Sequence, residues 1–218
     1  MSARMLVDGT PGSRIAADDR GLLYGNGLFE TILFLRGAAP LWPRHMQRLL
    51  HGCERLALPA PDVVLLAREA AEAVGQMPRA VVRITLTRGG GPRGYAPPAG
   101  LECTRIVAAF EAPFIASDWY ARGIRVRFAD LALAAQPRLA GVKHLNRLEQ
   151  VLARAEWNDP QTVEALLFDG ADRVIGATEA NVFVARDGRI ATPALDRCGV
   201  AGVARAEVLD ALPKAEIS

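Results

Sequence analysis

Two amphipathic helices and a β-branched strand follow one another between residues 43 and 88, and this succession most constrains the fold. Pro43 suits a first helical turn because its ring fixes φ and removes an N–H that would be unpaired there. Apolar residues spaced by three and four then predict helices over Arg44–Leu56 and Asp62–Val74. The β-branched run over Arg79–Arg88 predicts a strand. These elements indicate a mixed α+β fold.

The length of the chain bounds its domain organisation. At 218 residues it can bury a sizeable core, as one large domain or two small ones. The segment Ala112–Ser117 is predicted to link an N-terminal domain, residues 1–113, to a C-terminal domain, residues 117–218. In the second half the patterns predict strands over Ile124–Phe128 and Glu164–Asp169, a hairpin through Asp187-Gly188, and a last helix over Val203–Leu212.

Composition and charge exclude several classes of protein. Half of the residues are hydrophobic (50%) and 23% are charged, as in ordinary soluble globular proteins. The formal net charge is only +2 and the arginines are scattered, which argues against nucleic acid as a partner. No stretch approaches roughly 18 consecutive apolar residues, and residues 1–9 lack a signal peptide's apolar run. We therefore expect a cytoplasmic protein without a membrane partner.

The three cysteines are Cys53, Cys103 and Cys198, and they have no CxxC spacing. This pattern predicts neither a disulfide framework nor a zinc site, so we expect reduced thiols and no metal.

Lys143 lies between a small-residue turn and an apolar-periodic segment. Apolar residues recur at helical spacing from Leu145 onward, which predicts a helix that ends near Asn158. Lys143 would then stand just before the first turn, with a side chain able to point into a cleft. The alternative is a solvated lysine ahead of a surface helix, since lysine is mostly exposed.

The run AGVKHLNRLEQVLAR, residues 140–154, is similar over its whole length to the lysine region of aminodeoxychorismate lyases. These are members of the fold type IV class of pyridoxal-phosphate enzymes. The resemblance implies a two-domain fold type IV architecture, with pyridoxal 5'-phosphate held by Lys143 of the C-terminal domain as a Schiff base. It also implies a homodimer with the pocket near its interface. Family members usually continue several tens of residues beyond Leu212, so we expect the second domain to be shortened.

The glycine-rich stretch DRGLLYGNGLFET, residues 19–31, resembles a family segment that lines the cofactor pocket. Tyr24 and Phe29 in it are therefore expected to contact the substrate. Asn26 departs from the family pattern, which has Asp at this position. On the residues alone, the stretch is equally a glycine-rich loop that feeds a hairpin.

Two arginines match family positions that bind anions. His45 and Arg48 fit the pattern HxxRL, in which the arginine pairs with the cofactor phosphate, and a planar guanidinium suits that task. RGGGPRGYAPP, residues 88–98, resembles the lyase loop that carries RGY over the active site. Arg93 and Tyr95 are therefore expected to contact the substrate. The alternatives are a surface role for Arg48 and loop stabilisation by Arg93 and Tyr95.

In the second half, residues 199–205 match the pattern GVxGxxR. The resemblance implies that the N–H groups of Val203 and Ala204 help to hold the phosphate, as unpaired amides at a helix start can. The alternative is a simple helix start.

One expected cofactor ligand is absent. The family usually has a glutamate five residues before the Asn of its N(L/V)F strand, here Asn181, and this glutamate bonds the pyridine nitrogen. That position is Gly176 in this chain. Either Glu179 replaces it, or water or the Thr178 hydroxyl meets the nitrogen. We count Glu179, Thr178 and Asn181 among the candidate cofactor-binding residues.

The resemblance implies a lyase that acts on a small-molecule substrate, converting 4-amino-4-deoxychorismate to 4-aminobenzoate and pyruvate. Lys143 would hold the cofactor and transfer the proton. One alternative is an aminotransferase of the same fold, acting on D-amino or branched-chain amino acids. The other is a cofactor-binding or partner-binding protein without catalysis.

Overall fold

The computed structural model describes residues 4–97, 100 and 102–217. Pro98 and Leu101, in or beside the predicted glycine- and proline-rich loop, lie outside the described residues, as do residues 1–3 of the predicted N-terminal segment. The chain divides into two compact units. The first comprises the described residues up to Pro113 and Lys143–Asn146; the second comprises Phe114–Val142 and the described residues from Arg147 onward. Lys143 therefore groups with the first unit, whereas the sequence prediction put it in the C-terminal domain. No helix in the described ranges has the length and apolarity needed to cross a membrane.

The first unit is built on a five-stranded antiparallel sheet with strand order β2-β1-β5-β4-β3. Its elements are β1 (Arg4–Val7), β2 (Thr10–Pro11), α1 (Arg20–Tyr24), β3 (Gly27–Leu35), α2 (Trp42–Leu56), α3 (Val63–Val74), β4 (Arg79–Thr87) and β5 (Arg105–Glu111). The predicted helices and strand in this region are confirmed, with bounds that shift by no more than two residues.

The core of the first unit lies on the face of the sheet that the helices cover. β4 alternates in burial, so that Val82 and Ile84 are fully buried. Helix α2 packs on β3, and helix α3 packs on β5. Asp62 caps α3 by accepting hydrogen bonds from the N–H groups of Val64 and Leu65, at 2.8 and 3.1 Å. The predicted α3 thus has a local start signal as well as an apolar face.

The second unit contains two small sheets. Its elements are α4 (Ser117–Arg122), β6 (Arg125–Leu133), α5 (Leu148–Arg154), β7 (Thr162–Asp169), β8 (Val174–Ala177), β9 (Val184–Arg186), β10 (Arg189–Thr192), α6 (Val203–Ala211) and β11 (Glu216–Ile217). One sheet has the order β6-β7-β8, with β6 parallel to β7, and the other has the order β11-β10-β9. The predicted hairpin through Asp187-Gly188 is confirmed. A cluster around Leu167 and Ile175 forms the apolar core.

The helix predicted from Leu145 to near Asn158 is wrong at both ends. Helix α5 begins at Leu148, and its apolar residues Leu148, Val151 and Leu152 are 68%, 60% and 51% exposed. Residues before it instead pair with strand β3: the N–H of Leu145 donates to the carbonyl of Gly27 at 3.0 Å. A long-range backbone pairing therefore overrides the local helical periodicity.

Ile84 lies at the centre of the first unit's sheet, paired with Glu30 on one side and Val107 on the other. We expect Ile84→Ala to lower the free energy of unfolding by about 2–5 kcal/mol, because it leaves a cavity in a close-packed core. Urea unfolding measures this change. Leu33→Ala is the matched control on β3. Because Leu33 is 40% exposed, this substitution should lower the free energy of unfolding far less. Equal losses for the two variants would show that the core does not lie on this face.

Candidate active site

The backbone of Lys143 is fixed on the edge of strand β3. The N–H of Phe29 donates to the carbonyl of Lys143, and the N–H of Leu145 donates to the carbonyl of Gly27, both at 3.0 Å. These two bonds enclose an isolated antiparallel bridge between Leu28 and His144. The lysine is thus positioned by a strand rather than by the helix that the sequence predicts.

Glycines allow this close approach. A Cβ added at Gly27 would lie 2.4 Å from the carbonyl oxygen of Leu86 and 2.7 Å from a methyl of Leu145. Gly25 adopts φ +63° in the left-handed region and lies beside Asn146, whose Nδ2 donates to its carbonyl at 3.2 Å. Larger residues at 25 and 27 would push the Lys143 segment away from β3.

The side chain of Lys143 lies over an aromatic ring. Its Nζ is 4.3 Å from the centre of the Phe29 ring, which is buried. The guanidinium carbon of Arg83 lies 4.1 Å from the same centre. Both contacts have the distance of cation–π interactions, and burial lowers the pKa of Arg83. Two cationic groups thus gather at one ring, where an anionic substrate group would be attracted.

Sequence reasoning predicted Phe29 as a candidate substrate contact but did not identify Arg83. The available signal was an arginine in the middle of the β-branched run of β4. Only the register of β3 against β4, in which Arg83 pairs with Thr31, places it within reach of Phe29.

Arg48 belongs to a buried charged cluster with Glu30 and His45. Its Nε donates to Oε1 of Glu30 at 2.8 Å, its Nη2 donates to Oε2, and Nδ1 of His45 lies 2.7 Å from Oε2. Burial alone would raise the pKa of Glu30, but the hydrogen bonds and charges of Arg48 and His45 outweigh it and lower the pKa below 4.5. The ionised Glu30 therefore orients the Arg48 guanidinium.

Tyr24 contacts Tyr95 on the glycine-rich loop, which also carries Arg93. The rings of Tyr24 and Tyr95 are in edge-to-face contact, with centroids 5.6 Å apart. Arg93 and Tyr95 are exposed, and residues 20–24 form the short helix α1 where the sequence indicated only a loop. The structure thus places Tyr24 against the loop that carries Arg93.

Val203 and Ala204 form the first turn of α6. The N-cap residue Gly202 contributes no side-chain hydrogen bond to this turn. Asn181 supports the preceding segment, because its Nδ2 donates to the carbonyl of Val200 at 2.9 Å. A Cβ added at Gly202 would lie only 2.0 Å from Oδ1 of Asn181. The amides at this helix start suit an anion such as a phosphate.

Thr178 and Glu179 follow strand β8, which contains the buried Gly176. Their N–H groups donate to the two carboxylate oxygens of Glu164, each at 3.1 Å, and the Thr178 hydroxyl also bonds Glu164. The Glu179 side chain is exposed. Sequence reasoning did not identify Glu164, because its partners lie 14 and 15 residues away, directly after another strand.

Comparison with known protein families finds one that this chain matches. The model of the amino-transferase class IV family matches residues 27–218. The chain belongs to this family. Its predicted fold type IV membership and its mixed α+β class are thereby confirmed.

Three relatives are similar to this chain over most of its length. An aminodeoxychorismate lyase of Vibrio harveyi is 36% identical over 207 residues, covering 94% of this chain and 76% of the relative. The crystal structure of 4-amino-4-deoxychorismate lyase from Pseudomonas aeruginosa superposes with a TM-score of 0.93 at 42% identity, covering 98% of this chain and 80% of that one. A putative branched-chain-amino-acid aminotransferase of Methanocaldococcus jannaschii is 30% identical over 205 residues, covering 90% of this chain and 69% of the relative.

The depressed pKa of Glu30 predicts how stability depends on pH. The ionised carboxylate contributes stability above the unfolded-state value of 4.5, and this contribution is lost as pH falls through the lower folded-state pKa. We expect Glu30→Gln to cost about 3 kcal/mol near neutral pH, because it leaves the Arg48 charge without its partner. The difference in the free energy of unfolding between Glu30→Gln and the unaltered chain should become smaller in acid.

Urea unfolding of the cofactor-free chain near neutral pH and below pH 4.5 measures both effects. Glu54→Gln is the control, since the Glu54 side chain is 81% exposed. If the difference in the free energy of unfolding did not change with pH, the conclusion that the buried Glu30 is ionised would be wrong.

Proposed function

We propose that this protein is an aminodeoxychorismate lyase that converts 4-amino-4-deoxychorismate to 4-aminobenzoate and pyruvate with pyridoxal 5'-phosphate. The observation that carries the proposal is Lys143, whose backbone is fixed on β3 and whose amine lies over Phe29. Relatives named for this activity are 36% and 42% identical and cover nearly the whole chain. The motif KHLNRLEQ, residues 143–150, supports the same activity.

The residues present fit the cofactor. Lys143 supplies the amine that would hold it covalently, and the partly buried guanidinium of Arg48, oriented by Glu30, supplies positive charge for its phosphate. In the second unit by itself, the first-turn amides of Val203 and Ala204 receive no side-chain cap and suit an anion such as a phosphate. When bound, the cofactor supplies an electron sink for the carbon that bears the substrate amine.

Lys143 is the proton-transferring residue in this proposal. Once the substrate amine has displaced it from the cofactor, the freed Lys143 amine takes the proton from the carbon that bears the substrate amino group and later returns a proton. The strand pairing at Phe29 and Gly27 keeps its backbone in place, so only side-chain torsions change during the transfer. Phe29 covers the amine on one side and limits its contact with water.

Arginines bind the two carboxylates of the substrate. Arg93 is the first candidate, because it is exposed on the glycine-rich loop and a guanidinium can donate two parallel hydrogen bonds. Arg83 is a second, since its guanidinium shares the Phe29 ring with Lys143. Tyr24 and Tyr95 line the same loop as Arg93.

An aminotransferase acting on branched-chain or D-amino acids is the second candidate. It is supported by the 30% identity to the Methanocaldococcus jannaschii relative. Gly176 argues against it, because transamination depends more on a charged partner at the pyridine nitrogen than a reaction whose product becomes aromatic.

We further propose a homodimer and a cytoplasmic location. Helix α5 exposes Leu148, Val151 and Leu152, and strand β6 exposes Phe128, which is 67% accessible. Apolar side chains this exposed on adjacent elements favour burial against a second copy. The three cysteines are free thiols, which suits a reducing compartment.

The chain has only two lysines, Lys143 and Lys214, so the cofactor attachment can be tested cleanly. After incubation with pyridoxal 5'-phosphate, borohydride reduction should fix the cofactor on the peptide that contains Lys143. Lys143→Ala should abolish this label and the formation of fluorescent 4-aminobenzoate from aminodeoxychorismate. Lys214→Ala is the control and should retain both. Label on Lys214 alone, or product formed by Lys143→Ala, would overturn the proposal.

Gly176→Glu restores the carboxylate that the family usually has at this position. We expect it to tighten cofactor binding about tenfold, as a charge-assisted hydrogen bond to the pyridine nitrogen would. The added Cβ lies 3.2 Å from the Ala180 carbonyl, so a small shift of that carbonyl must accompany it. Absorbance titration with pyridoxal 5'-phosphate measures the affinity. Gly176→Gln has the same size without charge; an equal gain there would refute an effect of the carboxylate.

A further inference from the structure

The base of the glycine-rich loop is closed by one buried carboxylate. Oδ2 of Asp19 accepts hydrogen bonds from the hydroxyls of Thr87 and Thr104, at 2.8 and 2.9 Å. Thr87 ends β4 and Thr104 immediately precedes β5, so Asp19 ties together the two ends of the connection between these strands. Asp19 is fully buried, and its Oδ1 also accepts from the N–H of Gly21 at 2.7 Å. Backbone hydrogen bonds close the same base: the N–H of Arg20 donates to the carbonyl of Gly89 at 2.9 Å, and the N–H of Thr87 donates to the carbonyl of Thr104 at 3.0 Å. The base of the loop is therefore closed without the Arg20 side chain.

Arg20 nevertheless extends from this base to the middle of the loop. Its Nη1 donates to the carbonyl of Gly94 at 2.8 Å, and its Nη2 donates to the carbonyl of Tyr95 at 2.9 Å. The Arg20 side chain is only 2% exposed, and its Nε is buried with no acceptor among the described residues. Burying a guanidinium costs free energy that two hydrogen bonds to surface carbonyls only partly offset.

Tyr24 adds a second set of contacts to the same two loop residues. Its hydroxyl accepts from the N–H of Gly94 at 3.3 Å, and its ring meets the Tyr95 ring edge to face. The guanidinium carbon of Arg20 lies 4.8 Å from the centre of the Tyr24 ring, within cation–π distance. Arg20 and Tyr24 together form what we call the loop clamp.

The loop clamp grips the backbone directly after Arg93. Gly94 has φ +110°, a conformation that favours glycine, and Arg93 itself is exposed. An arginine side chain on a loose loop would sample many positions, whereas a clamped backbone at 94 and 95 restricts where its guanidinium can go. Arginine suits the clamp because its planar fork can bond two successive carbonyls at once, which a lysine ammonium does less well.

We propose that Arg20 is a positioning residue that holds Arg93 where it binds a carboxylate of the substrate. This inference rests on the proposed lyase function, because Arg93 needs a substrate to bind. It explains why the chain buries a guanidinium beneath an exposed loop whose ends Asp19 already joins. Small displacements of a substrate-binding group reduce the rate steeply, so positioning it is worth a cost in stability.

Trypsin cleavage tests the loop clamp without any substrate. The bond between Arg93 and Gly94 should resist trypsin in the native chain and be cut roughly tenfold faster in Arg20→Met, which loses two hydrogen bonds. Tyr24→Phe, which loses one acceptor and keeps the ring, should show a smaller increase and serves if Arg20→Met fails to fold. Intact-mass spectrometry of the products follows the cut at Arg93.

Ile84→Ala is the control for general destabilisation. Ile84 is fully buried in the core of the same unit and lies outside the glycine-rich loop. The substitution should lower thermal stability without accelerating the cut at Arg93. Equal acceleration in Ile84→Ala and Arg20→Met would mean that general destabilisation opens the loop, and the proposal would fail.

Lyase kinetics test the positioning role. In Arg20→Met, KM for aminodeoxychorismate should rise about tenfold or more with a smaller change in kcat, since substrate binding is what the loop supplies. The absorbance of the bound cofactor should stay unchanged. Arg20→Lys, which can bond one carbonyl at a time, should recover part of the affinity. An unchanged KM in a folded Arg20→Met would overturn the proposal.

Failure of the proposed lyase function and failure of the loop clamp would give different experimental results. If the unaltered chain forms no 4-aminobenzoate, the proposed function falls. Faster cleavage in Arg20→Met alone would then still support the loop clamp, and unchanged cleavage would overturn it.

Discussion

The pairing of residues 143–146 with strand β3 is the constraint on which the candidate site depends. Two backbone hydrogen bonds fix Lys143 before its side chain contributes anything. Gly25 and Gly27 are required because a side chain at either position would collide with the paired segment. The same strand presents Phe29 beneath the lysine amine and Glu30 beside Arg48. One strand therefore positions both the reactive amine and the cation that we assign to the phosphate.

Buried polar groups organise the rest of the first unit. Glu30 orients Arg48, and Asp19 joins the ends of the connection from β4 to β5, in each case with partners that satisfy the carboxylate. Such groups are costly when unpaired, so each fixes the geometry of its neighbours more sharply than an apolar contact does. The candidate site thus takes its precision from charges that do not themselves react.

The sequence predicted what local periodicity determines. Helix α3 has both an apolar face and a capping Asp62, and β4 is rich in β-branched residues, so both were found nearly at their observed bounds. Helix α5 was misjudged because backbone pairing to β3, more than 100 residues away, takes up the segment before it. The contacts of Arg20 with Gly94 and Tyr95 span 74 and 75 residues and leave no local pattern. Resemblance alone located Lys143 and Arg48 as candidates.

The loss of a carboxylate at position 176 bears on which reaction the site favours. Glu164 is the nearby acid, but its oxygens already accept from the amides of Thr178 and Glu179, so it cannot be redirected without unpairing them. The Thr178 hydroxyl also bonds Glu164, and its oxygen could then act only as a neutral acceptor toward the cofactor ring. A neutral acceptor stabilises a protonated pyridine less than a carboxylate does. A lyase gains aromatic product stability in the same step, and so it tolerates this weaker partner better than a transaminase does.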